Sequence, residues 1–332
     1  MGALWSPLRL PPLVTDCNLL LGRLASDRFL GGEMQLDLAA ATSAIQGKIA
    51  TPLNLSAVEA ADGILRIAAT KMAHMVRWVT TERGLDAADF AVIAYGGAGP
   101  LHAAMIAREL RIGKVIIPHA PGHFSAYGML FADLRRDFVN TWFKSLMDAS
   151  FEDMERLYGV MEKQGAADLT RSQGMIIDMA VQRGADMRYV GQEHAVTVDI
   201  PTELFKSQDR DGIKQRFDAV HETRYGYSAP KEKAEIVSLR SATIGLMRKP
   251  DLEPVAKGDA SPDVAFRGKR PVYYADGGTI ETPTYDRTLL KAGNRIEGPA
   301  LIEEYASTTV VHPKDILEVD EFGNLHIEIW RK

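Results

Sequence analysis

A short apolar segment that runs directly into a glycine-rich one restricts the possible folds of this chain more than any other feature. Residues 90–95 are continuously apolar, as in a strand that is covered on both faces. Residues 96–100, Gly-Gly-Ala-Gly-Pro, follow at once, and residues 101–111 have the pattern of a helix with Pro100 at its first position. A second buried strand is predicted over residues 114–118. This order of elements predicts two parallel strands joined by a right-handed crossover.

The glycine-rich segment is a candidate ligand-binding loop. Glycines between a strand and a helix let the backbone approach a ligand closely, and the helix N-terminus beyond them offers free N–H groups. A Rossmann dinucleotide site requires G-x-G-x-x-G, but His102 stands where the third glycine belongs. The next strand also lacks the acidic residue that would bind ribose, and the sequence contains no P-loop pattern. A different kind of nucleotide-binding loop is therefore favoured, and a purely structural turn is the alternative.

Three histidines, His102, His119 and His123, follow the two predicted strands, at the sheet edge where α/β proteins usually bind ligands. The spacing of His119 and His123 resembles that of a helical metal-binding pair, but the Pro-Gly pair between them disfavours a helix. We therefore predict no metal site. The histidines are interpreted either as the polar lining of a nucleotide or substrate cleft, or as ordinary surface or hydrogen-bonded side chains.

Four further residues have two possible interpretations each. Asp16 precedes an apolar run and is a candidate for the cleft, although a helix N-cap explains it as well. Cys17 has no obvious base nearby in sequence, which favours a small buried side chain over a nucleophile. Glu303 and Glu304 fall in a predicted strand, where alternation sends one carboxylate to each face. The sequence names no catalytic residue.

The secondary structure predicted for the other parts of the chain changes from mainly helical to mainly extended. A helix is predicted from Ser56, with Glu59 completing a capping box, to about Gly84, and its apolar face is expected to carry Ile64, Ala68, Met72, Met75 and Val79. Beyond residue 150, helices are predicted over residues 151–170 and 213–225, and extended segments over residues 176–189, 194–200 and 234–247. Residues 249–269 have linker composition. Short strands are predicted after them, near residues 272–275, 300–305, 308–312, 316–319 and 324–330.

Composition excludes several classes of protein. Hydrophobic residues make up 46% and charged residues 25% of the chain, as in ordinary globular domains. The 39 Lys and Arg against 44 Asp and Glu give a net charge of −5, so neither nucleic acid nor a membrane surface is an expected partner. Residues 4–13 are apolar, but prolines and an arginine interrupt them, which argues against a signal peptide. A single cysteine fits a reducing compartment, and a cytoplasmic location is expected.

Six ordered blocks of sequence resemble one known family. The blocks are VTDCNLLLGRL (14–24), FLGG (29–32), AYGGAGPLHA (94–103), PGHFSAYGML (121–130), RYVGQ (188–192) and GPALIEE (298–304). Through these blocks the chain resembles the A-type subunits of the hydantoinase/oxoprolinase family, which includes ATP-dependent N-methylhydantoinases, 5-oxoprolinases and acetone carboxylase β subunits.

The resemblance implies an α/β fold, part of an actin/hexokinase-like ATPase fold followed by a β-rich C-terminal module. It implies a partial actin-like α/β nucleotide-binding domain over residues 1–148, an α+β middle region over 149–248 and the β-rich module over 249–332. The nucleotide contacts carried over from the family are Gly96, Gly97, Ala98, Gly99 and His102. The substrate or cleft candidates are Asp16, His119 and His123.

The resemblance also implies ATP and Mg²⁺ as cofactors. The family carries two phosphate-binding blocks of the type D-x-G-G-T, and neither occurs in this sequence. The magnesium ligands are therefore expected outside this chain. The chain is expected to be the C-terminal part of a longer A subunit or a split subunit.

The implied function is that of a partial A subunit of an ATP-dependent cyclic-amide hydrolase, which opens a hydantoin or 5-oxoproline ring through a phosphorylated intermediate. A component of an ATP-dependent acetone- or acetophenone-type carboxylase is one alternative. A non-catalytic assembly subunit is another. The expected partners are a small-molecule substrate, a B-type hydantoinase subunit and a separate N-terminal half of the A subunit.

Overall fold

The computed structural model describes residues 11–171 and 176–330. The chain divides into two compact units: unit 1 consists of Met1–Tyr127 and Asp251–Lys332, and unit 2 consists of Gly128–Pro250. Most of the N-terminal apolar segment considered above lies outside the described residues. Among the helices of the described residues, none combines the length and apolar character that a membrane span requires.

The secondary structure of the described residues is mixed. The helices are α1 (Val14–Leu20), α2 (Leu38–Ile45), α3 (Thr51–Leu53), α4 (Ala57–Thr81), α5 (Gly99–Glu109), α6 (Phe124–Met129), α7 (Phe151–Thr170), α8 (Thr202–Lys206) and α9 (Arg210–Tyr225). The strands are β1 (Val92–Ile93), β2 (Lys114–Ile117), β3 (Leu134–Ser145), β4 (Ile176–Tyr189), β5 (Val196–Asp199), β6 (Ala234–Met247), β7 (Phe266–Tyr274), β8 (Gly278–Asp286), β9 (Arg295–Glu297), β10 (Ala300–Glu304), β11 (Ser307–Val311), β12 (Ile316–Val319) and β13 (Leu325–Glu328).

Unit 1 contains two sheets. A five-stranded sheet has the order β1-β2-β13-β12-β9, and a four-stranded sheet has the order β11-β10-β8-β7. β1 and β2 are parallel, with Val92 opposite Val115, which confirms the pairing predicted from the strand–loop–helix–strand unit. β13 pairs antiparallel with β2, so one of the last strands of the chain extends the same sheet. A buried cluster joins α5 to this sheet through Ala103, Ala107, Val115, Ile117 and Ile327.

The first strand is less covered than the sequence predicted. β1 is only two residues long and lies at the edge of its sheet. Phe90, Ile93 and Tyr95 are exposed, whereas Ala94 is buried. The prediction that both faces of residues 90–95 are covered was therefore wrong. A run of apolar residues does not by itself reveal whether other elements cover both faces of a strand.

Helix α4 begins as predicted but buries a different face. Ser56 Oγ accepts from the Glu59 N–H at 3.2 Å, and Glu59 Oε2 accepts from the Ser56 N–H at 2.8 Å, which confirms the capping box. Leu65, Ala69 and Ala73 are buried, and each lies one position after a residue of the predicted apolar face. Most of the buried residues of the helix are small: Ala60, Ala61, Asp62, Leu65, Ala69 and Ala73. Several large apolar side chains of the helix are exposed instead, namely Ile67, Met75, Val76, Trp78 and Val79.

Unit 2 is built on an antiparallel sheet with the order β3-β6-β4-β5. Its core combines residues of α7 and α9 with residues of the sheet, such as Tyr158, Phe217, Met187 and Leu239. The Tyr158 hydroxyl donates to the Gly184 carbonyl oxygen at 2.8 Å, so this buried polar group is satisfied.

The predicted division into three regions differs from the two units. β3 pairs with β6 along most of its length, which places residues 134–145 with the middle region and not with the first. Residues 251–332 belong to the same compact unit as the start of the chain, and β13 pairs directly with β2. Strand pairing between distant segments, which local sequence patterns do not report, accounts for both differences.

Candidate functional site

The glycine loop is held close to the turn between β10 and β11. Gly96 has a φ of +81°, a conformation that favours glycine, and its N–H donates to the Pro121 carbonyl oxygen at 2.8 Å. A Cβ atom on Gly97 would lie 3.0 Å from the carbonyl oxygen of Ala306. The close approach leaves little room for a side chain at Gly97.

Helix α5 starts at the end of this loop without a side-chain cap. Its N-cap is Ala98, which has no oxygen to accept from the first N–H groups, and Gly99 is its first residue. Pro100 lies one position later than predicted, at the second residue of the helix, where the lack of an N–H still costs nothing. The positive end of the helix dipole is therefore available to a ligand or to solvent.

A cavity of about 280 Å³ opens beside the start of α5, and we call it the glycine-loop cavity. Three regions far apart in sequence form most of its wall. They are α1 with Val14, Thr15 and Asn18, the loop and first turn of α5 with Gly97, Ala98, Leu101 and His102, and residues 303–308. Of the predicted nucleotide contacts, Gly97, Ala98 and His102 line this cavity, and Gly96 and Gly99 flank them in the loop.

Three residues of this wall carry buried polar atoms without hydrogen-bond partners in the described part of the chain. These atoms are Asn18 Oδ1, His102 Nδ1 and Ser307 Oγ. Burial and the nearby positive charge of Arg23 lower the pKa of His102 to about 4, so its imidazole is neutral at physiological pH. A neutral imidazole, an amide and a hydroxyl can donate and accept hydrogen bonds, which suits a polar, uncharged ligand group.

Asp16 and Cys17 are buried next to this wall but do not contribute to it. Asp16 is the third residue of α1, not its N-cap, and its Oδ2 accepts from the Leu13 N–H at 2.7 Å. Burial raises the pKa of the Cys17 thiol to about 12, which is consistent with a small buried side chain and not with a nucleophile. Neither residue lines either of the two cavities described here.

A second cavity of about 520 Å³ lies at the end of β2, and we call it the histidine cavity. His119 and His123 line it, together with the buried Arg287 and with Glu304. His102 lines the other cavity, so the structure places the three histidines on the walls of two cavities. Within residues 11–171 and 176–330, no group of three or more His, Cys, Asp or Glu side chains is arranged to hold a metal ion.

The turn between β10 and β11 lies between the two cavities. Glu304, Tyr305 and Ala306 contribute to both walls. A Cβ atom on Gly122 would lie 2.8 Å from the Ala306 Cβ, so this turn contacts the histidine-bearing loop as closely as it contacts the glycine loop. The two cavities are thus neighbouring sites that share a single turn.

The two adjacent glutamates of β10 have different environments. Glu303 forms ion pairs with Arg270 and, at 3.3 Å, with Arg28. Glu304 has no such ion pair within the described residues, and burial raises its pKa to about 7 although the charge of Arg287 opposes the shift. The strand alternation predicted from the sequence explains why the two carboxyl groups have different surroundings.

Sequence reasoning missed Asn18, Ser307 and Arg287. Ser307 and Arg287 fall outside the strands predicted from the sequence, and Asn18 lies in a segment where only Asp16 and Cys17 were considered. They reach the cavities because the fold brings segments that are distant in sequence together, which no local motif reports. Asn18 lies inside one of the family blocks, and that position was the one available signal.

The chain matches two family models. Residues 9–138 match the model described as Hydantoinase/oxoprolinase, and residues 144–329 match the Hydantoinase/oxoprolinase C-terminal domain. Together they cover nearly all of the described residues.

Two curated relatives are similar over most of this chain. An uncharacterised protein of Methanocaldococcus jannaschii is 36% identical over 317 residues, which are 96% of this chain and 44% of the relative. The caprolactamase subunit alpha of Pseudomonas jessenii is 32% identical over 91% of this chain and 44% of its own length. The chain therefore spans less than half the length of these relatives.

Two solved structures share the fold. The nucleotide-free structure of acetone carboxylase superimposes with a TM-score of 0.79 at 25% identity, and the match covers 99% of this chain and 48% of that one. The ATP-dependent caprolactamase of Pseudomonas jessenii superimposes with a TM-score of 0.74 at 30% identity, covering 96% and 47%. These matches confirm the predicted α/β class with an ATPase-like fold.

Proposed function

The chain belongs to the hydantoinase/oxoprolinase family, and we propose that it supplies the adenosine-binding side of the A-type subunit of an ATP-dependent cyclic-amide hydrolase. One observation carries this proposal. The glycine-loop cavity places the uncapped start of α5 beside three buried polar atoms that have no partner within the described residues. Buried polar groups in proteins are nearly always hydrogen-bonded, so these atoms are candidates for contacts with a bound ligand.

The residues present fit an adenine nucleotide. Gly97 and Ala98 allow a ligand to approach the backbone, and the neutral His102 and the Ser307 hydroxyl can donate to or accept from the nitrogens of a base. When bound, ATP supplies a phosphoryl group that turns an amide or enolate oxygen into a good leaving group. The role of this chain's residues is to bind and orient the nucleoside.

The hydrolase assignment follows the named relatives of this chain. The similarity of this chain to ATP-dependent caprolactamase, in sequence and in structure, supports a cyclic amide as the substrate. A component of an ATP-dependent carboxylase is the second candidate, because the acetone carboxylase structure superimposes with the higher TM-score. If the complete enzyme is a hydrolase, its ADP release should depend on a lactam and not on bicarbonate. If it is a carboxylase, its ADP release should depend on bicarbonate and not on a lactam.

We also propose that the complete enzyme contains further polypeptide. The caprolactamase relative is named as a subunit, which supports a B-type partner and a further part of the A subunit for this chain. The exposed apolar face of α4, with Ile67, Met75, Trp78 and Val79, is a surface suited to such an association.

Calorimetric titration of the full chain with adenosine and with ATP tests the adenosine site. We expect saturable binding of both, with affinities within a few-fold of each other, because this chain contacts the nucleoside. Ser307→Ala removes an unpartnered hydroxyl, so the melting temperature should stay unchanged while nucleoside affinity falls about 5- to 10-fold, the loss of one hydrogen bond.

The matched control is Ser43→Ala, which removes an exposed hydroxyl on α2 that does not line the cavity. It should change neither the affinity nor the melting temperature. If Ser307→Ala and His102→Ala both bind adenosine as the wild type does, or if no saturable binding occurs at all, the adenosine site is rejected and a non-catalytic assembly role becomes the better interpretation.

A further inference from the structure

The histidine cavity contains a buried positive charge that no carboxylate neutralises directly. Arg287 is only 6% exposed. Burial lowers its pKa to about 10, so the guanidinium is still protonated at neutral pH. None of the ion pairs formed within the described residues involves it, although Glu304 and Asp320 stabilise its charge from a longer distance.

Backbone carbonyl groups fix one side of this guanidinium. Arg287 Nη2 donates to the carbonyl oxygens of Gly323 at 2.7 Å and Pro118 at 3.2 Å. Its Nη1 is buried and has no partner in the described part of the chain. A charged donor without a partner is costly in a folded protein, and an anionic acceptor is the group that satisfies it best.

The other titratable groups on the wall leave the cavity positive around neutral pH. Lys291 is a second cation there. Glu304 is the one carboxyl group that the described residues contribute to the wall, and burial raises its pKa to about 7, so it carries only a partial negative charge near that pH. His119 and His123 add hydrogen-bonding groups at the end of β2.

The remaining part of the wall is apolar. Val255, Val264, Leu289 and Val319 line it. An inorganic anion would leave these side chains facing water, whereas an organic anion with a hydrocarbon part would cover them.

We propose that the histidine cavity is a binding site for a small organic carboxylate, with its oxyanion at Arg287 and Lys291 and its hydrocarbon part against the valine and leucine side chains. The site is separate from the glycine-loop cavity, and this inference does not rest on the proposed nucleotide function. It assigns to the chain a second ligand of a different chemical class.

Calorimetric titration of the full chain with three probes at pH 7.5 tests this site. The probes are 4-methylpentanoate, its neutral isostere 4-methylpentanamide and inorganic phosphate. We expect saturable binding of the carboxylate and at least 10-fold weaker binding of both the amide and phosphate, since the amide lacks the charge and phosphate lacks the hydrocarbon part.

Variants locate the binding. Arg287→Met should weaken carboxylate binding at least 10-fold. Because this buried side chain also donates to backbone carbonyl groups, its loss can prevent folding, and a second variant at an exposed position is therefore needed. Lys291→Gln changes an exposed side chain and should weaken binding about 2- to 5-fold with an unchanged melting temperature. Lys163→Gln, an exposed lysine of α7 in unit 2, is the matched control and should have no effect.

Two results would overturn the proposal. One is equal binding of the carboxylate and the amide, which would show that no cation recognises the ligand. The other is carboxylate binding that both Lys291→Gln and a folded Arg287→Met leave unchanged. Weaker adenosine binding by Ser307→Ala together with unchanged carboxylate binding would show that the two proposals are tested independently of each other.

Discussion

At the scale of single residues, Gly96 and Gly97 carry backbone constraints, whereas Arg287 and Ser307 carry buried polar groups without partners among the described residues. The glycine loop was found because Gly96 and Gly97 stand in a recognisable order between apolar segments, and a positive φ and a close backbone approach explain them. Arg287 and Ser307 carried no such signal. Each is one polar residue in a stretch without a motif, and its importance comes from burial that only the fold creates.

The raised pKa of Glu304 predicts a pH dependence of stability. The pKa is about 7 in the folded protein and near 4.5 in the unfolded chain, so the unfolded chain loses its proton first as the pH rises. Stability contributed by the protonated carboxyl group is full below about pH 4.5 and is lost as the pH rises through 7. Glu304→Gln should remove this slope and raise the free energy of unfolding by about 3 kcal/mol at pH 8 relative to wild type.

Chemical denaturation at several pH values checks this prediction. The control is Glu303→Gln, because Glu303 is paired with arginines and its loss should destabilise the protein at pH 8. The raised pKa would be contradicted if the free energy of unfolding of the wild type, compared with that of Glu304→Gln, did not fall between pH 5 and pH 8.

At the scale of elements, local pattern located helices and strands well and their neighbours poorly. The predicted bounds of α7, β4, β6 and β12 agree with the structure, because each has a clear period and clear stop signals. The strands β3, β8 and β9 were missed. The covered face of α4 was displaced by about one residue, since the helix packs through alanines while larger apolar side chains stay exposed.

Two glycines of α7 give a matched test of how this helix packs. A Cβ atom on Gly165 would lie 2.7 Å from the Cβ of Thr243 on β6, whereas one on Gly159 would have no atom of the described residues within 4 Å outside its own helix backbone and chain neighbours. Gly165→Ala should therefore lower the free energy of unfolding by about 1–3 kcal/mol through overpacking. Gly159→Ala should raise it by about 0.5–1 kcal/mol, because alanine favours the helix.

Urea denaturation of the two variants measures both effects on the same helix. If Gly165→Ala is as stable as Gly159→Ala, α7 does not pack against β6 as closely as the structure shows, and the account of the unit 2 core would need revision.

At the scale of the whole molecule, the sequence predicted the class of fold and the family but not the grouping of segments. The pairing of β13 with β2 brings the last described strands into the same unit as the glycine loop. Such a pairing joins segments more than 200 residues apart and leaves no trace in local composition. The resemblance supplied the fold class, because ordered motif blocks report a shared architecture where periodicity cannot.

The full chain by itself should show no ATPase activity above background. The sequence carries neither of the D-x-G-G-T blocks with which the family binds phosphates, so this chain can hold a nucleoside without positioning the transferred phosphoryl group. A coupled assay of ADP release with Mg²⁺ checks this, with heat-denatured protein as the control. Magnesium-dependent turnover by the chain alone would show that it contains a phosphate site that the motifs do not reveal.

The most direct test of the central claim is photoaffinity labelling of the full chain with an azido-adenosine nucleotide, followed by mapping of the labelled peptides by mass spectrometry. The account predicts that the label lies on peptides containing residues 96–102 or 303–308, the walls of the glycine-loop cavity, and that excess adenosine prevents the labelling. Label confined to peptides of unit 2, Gly128–Pro250, or labelling that excess adenosine does not reduce, would contradict it.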